Sequence, residues 1–94
     1  MKIMALCGSG LGSSFMVEMN IESCLKDLGV EGVEVTHSDI TSASNNDADL
    51  FFVARDVAEN ISLDQDKIVM LNSIIDKNEL MEKVKKVVEE YNLK

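Results

Sequence analysis

Proline is absent from the chain. Nothing therefore breaks a helix from within or presets a rigid turn, and regular elements joined by short turns are expected. Positive charge is scarce: 9 basic residues stand against 17 acidic ones, a net charge of −8 at pH 7. Nucleic-acid binding needs a basic footprint, and adhesion to anionic lipid needs the same sign, so neither is expected. No apolar run approaches the roughly 18 residues that mark a membrane span, so direct insertion into a bilayer is not expected. Met1-Lys2-Ile3 leads straight into a short apolar stretch without a cleavage-site pattern, so no secretory signal is expected. Cysteines number only two. Cys24 falls about ten residues into the first expected helix, roughly 15 Å along its axis from Cys7. A disulfide needs Cα atoms within about 7 Å, so the two thiols are expected to be unpaired, in a reducing cytosol.

What remains is an ordinary globular mixture, 46% hydrophobic and 28% charged over 94 residues. That suffices for one domain, residues 1–94, with a single core. The chain is organised around Cys7-Gly8-Ser9-Gly10-Leu11-Gly12-Ser13-Ser14. The apolar run Ile3-Met4-Ala5-Leu6 delivers it as a strand, and a helical pattern from Ser13 or Ser14 carries the chain away. Glycine lets backbone N–H groups converge on one point, and a helix start adds its partial positive charge. Such a turn cradles an anion, and the same field favours a thiolate over a thiol. Cys7 therefore reads as a nucleophile handling a phosphate, where a plain structural turn would need neither the thiol nor the paired hydroxyls.

In the first helix, expected from Ser13 to Leu28, Val17, Ile21, Cys24, Leu25 and Leu28 recur at helical spacing and form a core-facing stripe. Gly29 follows as a C-cap. Phe15 and Met19 fall off that stripe, within two turns of Cys7, and read as exposed residues or as a docking patch for a protein partner. Gly32 to Ser38 alternates as a half-exposed edge strand with the chain's one histidine, His37, near its end; it is a strand-end polar residue or a catalytic base. Residues Asp39 to Asp47 read as a short weak helix or helical turn. Ala48 to Ala54 is a central strand buried on both faces. Arg55, the one arginine, follows it either as a phosphate contact or as a surface residue paired with Asp56 or Glu59. Asp64-Gln65-Asp66 marks a turn before a fourth strand, Lys67–Leu71. The last helix, Lys77 to Asn92, has Leu80, Val84, Val87, Val88 and Tyr91 as its stripe, and Asp76 with Glu79 has the spacing of a capping box.

The order β-α-β-α-β-turn-β-α predicts a small three-layer α/β domain with a parallel sheet and helices on both faces. The loop after the first strand then lies at the carboxyl edge, where such sheets bind ligands.

The Cys7–Ser14 stretch resembles the active-site loop of the cytoplasmic IIB components of the bacterial phosphoenolpyruvate-dependent sugar phosphotransferase system. Its Cys-Gly-x-Gly-x-Gly-Ser-Ser form is most similar to the ascorbate branch, with the mannitol and galactitol branches close; Ala48–Ala54 and the length match too. The resemblance implies a Rossmann-like sheet of order 2-1-3-4, similar to low-molecular-weight tyrosine phosphatases. It implies that Cys7 takes a phosphoryl group from a phosphohistidine on a IIA component. Cys7 would then pass it to a sugar moved by a membrane-embedded IIC permease. Gly8, Ser9, Gly10, Leu11, Gly12, Ser13 and Ser14 would hold the phosphoryl oxygens, with no cofactor and no metal. The loop also resembles that of the phosphatases, whose pattern is Cys, five residues, Arg, then Ser or Thr. Ser13 stands where that arginine would, which disfavours a phosphatase or arsenate-reductase-like enzyme. A phosphorylation-sensing regulatory module with the same fold is a further alternative.

Overall fold

The computed structural model describes residues 1–7, 11–39, 43–58, 61, 63–72 and 76–92. Of Cys7, residues 11–14 and residues 56–57, it describes the backbone alone. Four strands, β1 (Lys2–Cys7), β2 (Glu34–Asp39), β3 (Leu50–Ala54) and β4 (Ile68–Leu71), form one parallel sheet in the order β2-β1-β3-β4. Helices α1 (Leu11–Asp27) and α3 (Lys77–Glu90) pack together on one face. The one-turn α2 (Arg55–Ala58) lies against β3 and β4, and its Ala58 packs with the core of the other face. This is the parallel α/β arrangement that the element order predicts, with the 2-1-3-4 order that the family resemblance implies.

Strand side chains alternate between faces, and the core divides accordingly. Ile3, Ala5, Leu50 and Phe52 pack with Val17, Ile21 and Leu25 of α1 and Leu80, Val84 and Val87 of α3. Met4, Leu6, Phe51 and Val53 form a second cluster with Ala58, Ile61, Leu63 and Ile68. A strand covered on both sides must be apolar throughout, which is why 50–53 reads as an unbroken run.

Helix α1 begins at Leu11, two residues before the expected Ser13. Glycine is a poor helix former, but propensity yields to packing. A 17-residue helix anchored by the buried Val17, Ile21, Cys24 and Leu25 accommodates Gly12 in its first turn. Its far end is closed as expected. Gly29 takes φ 74°, Gly29 N–H donates to Lys26 O (3.1 Å) and Val30 N–H to Leu25 O (2.9 Å). That is the paired pattern of a Schellman motif, with Val30 and Leu25 both in the core.

Two further expectations are sharpened or corrected. Of the short weak helix or helical turn expected over Asp39–Asp47, the described residues show a turn at 44–47, while Asp39 ends β2 and 40–42 lie outside them. Ser44 N–H donates to Asp47 Oδ2 (2.8 Å) and Asp47 N–H to Ser44 O (2.9 Å). The side chain thus satisfies the backbone that a helix would have used. Tyr91 is exposed, because α3 ends at Glu90 and Tyr91 is its C-cap, outside the helical stripe.

Candidate functional site

Cys7 is the last residue of β1, an inner strand, and stands opposite Asp39 of β2. On the other side Leu6 pairs with Val53 of β3, so Cys7 is level with Ala54 and one residue short of Arg55. Gly8, Ser9 and Gly10 lie outside the described residues. Leu11, Gly12, Ser13 and Ser14 make the first turn of α1, where the sequence predicts a loop up to Gly12 and the helix from Ser13. The correction strengthens the electrostatics. The opening N–H groups of a helix have no acceptor within it, and the macrodipole places partial positive charge there. No acidic residue stands in that turn, in a chain with 17 of them.

Phe15 and Met19 are 48% and 54% exposed, in agreement with their place off the stripe, and Met16 joins them at the surface. Phe15 has a second role that sequence reasoning missed. Its ring lies 5.4 Å from that of His37, centroid to centroid. The Nδ1–H of His37 donates to Glu18 Oε1 over 3.1 Å. Phe15 and Glu18 are one helical turn apart on the same side of α1, so both reach the same strand residue. The signal available in advance was that spacing, opposite a strand that α1 covers. Arg55 opens α2 at the same sheet edge as Cys7 and is exposed. Its two suggested ion-pair partners, Asp56 and Glu59, lie outside the described side chains.

Cys24 carries a free, buried thiol, so no bridge joins it to Cys7. Burial pushes that thiol up, the neighbouring Asp27 carboxylate adds to the effect, and Lys77 partly opposes it. Such a thiol is a poor nucleophile. Among the described residues no group of His, Cys, Asp and Glu is arranged to hold a metal ion, and no helix is long and apolar enough to cross a membrane.

Known proteins resemble the chain in architecture and in sequence. The chain is similar in fold to a low-molecular-weight protein tyrosine phosphatase from Bacillus subtilis known from its solution structure. The TM-score is 0.61, with 98% of this chain and 97% of that one covered, at 16% identity. At that identity the likeness speaks for the fold alone. The chain is 27% identical to the ascorbate-specific PTS system EIIB component of Mycoplasma pneumoniae over 88 residues, 92% of this chain and 93% of the relative. Residues 2–90 match the family described as "PTS system, Lactose/Cellobiose specific IIB subunit". By that match over nearly its whole length, the chain belongs to this family of IIB subunits, phosphotransferase components that work with IIA and IIC partners.

Proposed function

We propose that the chain is a cytoplasmic phosphoryl carrier, one domain over residues 1–94, that takes phosphate on Cys7 from a phosphohistidine of a IIA component. It then passes the group to a sugar moved by a membrane-embedded IIC component. The observation that carries this reading is the placement of Cys7 at the end of an inner parallel strand, four residues before a helix whose first turn holds no carboxylate. The Cys7 sulfur attacks phosphorus as the donor's P–N bond breaks, and the thiol's proton ends on the departing imidazole. In the second step a sugar hydroxyl oxygen attacks, the S–P bond breaks, and the hydroxyl's proton is released as the thiolate returns. Amides from Gly8 to Ser14, with the hydroxyls of Ser9, Ser13 and Ser14, hold the phosphoryl oxygens, with Arg55 as a further contact at the same edge. Each charge-assisted bond contributes roughly 1.5–3 kcal/mol, and preorganised donors stabilise the transferring group as well as the bound one. Phe15 and Met19 offer one small apolar surface that serves both partners in turn, since both must reach the same sulfur.

The Cys-Gly-x-Gly-x-Gly-Ser-Ser pattern and the ascorbate-specific relative support L-ascorbate, or a related sugar or sugar alcohol, as the acceptor. The family's description supports a lactose- or cellobiose-type disaccharide as the alternative. Ser13, in place of the phosphatase arginine, argues for a thiophosphate that is handed on instead of hydrolysed. Incubation with phosphoenolpyruvate and the upstream carrier proteins should add the mass of one phosphoryl group. Peptide mapping at neutral to mildly alkaline pH should place it on Cys7. Cys24→Ala protein should still be labelled, and label persisting in Cys7→Ala protein overturns the reading.

A further inference from the structure

The contact between β2 and the start of α1 has no part in the transfer chemistry as written. Apolar packing, which holds the rest of α1 to the sheet, is non-directional and lets a helix slide or rotate by small amounts. A hydrogen bond is directional, and aromatic pairs have preferred geometries. His37 makes one of each to α1. Its Nδ1–H donates to Glu18 Oε1 over 3.1 Å, and its ring meets that of Phe15 at 5.4 Å and 56°. The Glu18 side chain is only 13% exposed, so its carboxylate needs a donor, and His37 supplies one. His37 pairs with Ala5, two residues before Cys7, which puts this clamp about 7 Å along the strand from the nucleophile's position.

We propose that His37 is a positioning residue for phosphoryl transfer. It fixes the opening turns of α1, with their first-turn amides and Phe15, against the carboxyl end of the sheet where Cys7 stands. The inference rests on the Cys7 reading above and goes beyond it, because it assigns the chain's one histidine and a half-buried carboxylate a role in the rate of the step. Small misplacements of groups that hold a reacting centre cost large factors in rate. Loss of the clamp should therefore show at saturating donor, where docking no longer limits.

The test is single-turnover uptake by the full chain from the phosphorylated IIA donor at rising donor concentration, which separates the saturated rate from the half-saturating concentration. His37→Ala and Glu18→Ala should each lower the saturated rate about tenfold. His37→Asn should restore most of it, since the Asn Nδ2–H takes the place of the imidazole Nδ1–H. In the free protein the His37 ring protons should move when Phe15→Leu removes the ring current, and should stay put in Cys7→Ala. Unmoved ring protons in Phe15→Leu, an unchanged saturated rate in His37→Ala, or a lowered melting temperature with normal transfer by the folded fraction each overturn the inference alone. A wild-type chain that takes up no phosphate while the ring signature persists overturns the Cys7 reading, and this inference with it.

Discussion

Helices α1 and α3 start at comparable places, just after a strand or the loop that follows one, yet their first turns are built differently. At α3, Asp76 Oδ1 accepts from the N–H groups of Asn78 (3.0 Å) and Glu79 (3.1 Å), and Glu79 Oε2 accepts from Asn72 N–H (3.0 Å). One carboxylate of the chain itself, Asp76, answers donors of that helix, and a second, Glu79, stands in its first turn against the dipole. At α1 the first turn contains Leu11, Gly12, Ser13 and Ser14 and no carboxylate. The two helix starts carry the same partial charge. At α3 the chain's own side chains use that charge to hold the fold together; on the function proposed here, the charge at α1 serves the phosphoryl group.

Placing a carboxylate at the α1 start should erase the difference, with the largest effect. Ser13→Asp supplies a first-turn anion, which favours a helix by a few tenths to about 1 kcal/mol. It also repels a phosphoryl group and removes a donor, and a single lost donor of this kind costs about 10²–10³ in rate. Phosphoryl uptake should fall at least about a hundredfold while the melting temperature holds or rises. Normal uptake by Ser13→Asp would mean that the first turn of α1 does not hold the phosphate.

The reverse change at α3 should have the reverse profile. Asp76→Ala strips an N-cap, which typically costs about 1 kcal/mol. For a domain of this size that lowers the melting temperature by about 4–8 °C. Transfer by the folded protein should be unchanged, because Asp76 acts on its own helix. A fall in uptake at temperatures well below melting would break the division between the two helix starts.

The strands and the helix caps were legible because their signals are local. The unbroken apolar runs of β1 and β3, Gly29 after α1 and Asp76 before α3 each depend on a few neighbouring residues. At the start of α1 a longer-range term won. The helix begins at Leu11 because the stripe of α1 packs on the sheet in spite of Gly12. The turn at 44–47 closes on Asp47, one of two local hydrogen-bond schemes that composition leaves open. Tyr91 fits the stripe of α3 by spacing, but the helix stops one residue short of it. At the site, the position of Cys7 followed from strand and topology. Phe15 read correctly as an exposed residue, yet its contact with His37 joins residues 22 positions apart on two elements, and the one-turn spacing of Phe15 and Glu18 is its only trace in the sequence.

Cys24, in the last turn of α1, sharpens the contrast with the helix start by a smaller effect. It is buried at 7% exposure beside a groove of about 250 Å³ between α1 and α3 that Asp27 and Lys77 also line. Burial first, and Asp27 second, raise its pKa above that of a free thiol. The sign follows from proton counting. Below the unfolded value both states hold the thiol proton and the group contributes no slope. As pH rises past it, the unfolded chain releases that proton while the folded chain keeps it, so stability falls. The fall continues up to the raised folded value and levels beyond it. Urea midpoints for wild type and Cys24→Ala should therefore run parallel from pH 6 to 8 and converge above about pH 9, the wild type losing more. Other alkaline groups titrate in both proteins and cancel in the difference. Iodoacetamide should correspondingly leave Cys24 unmodified in the folded chain at neutral pH. Curves that stay parallel through pH 10 would show that the Cys24 thiol ionises in the folded chain as freely as in the unfolded one.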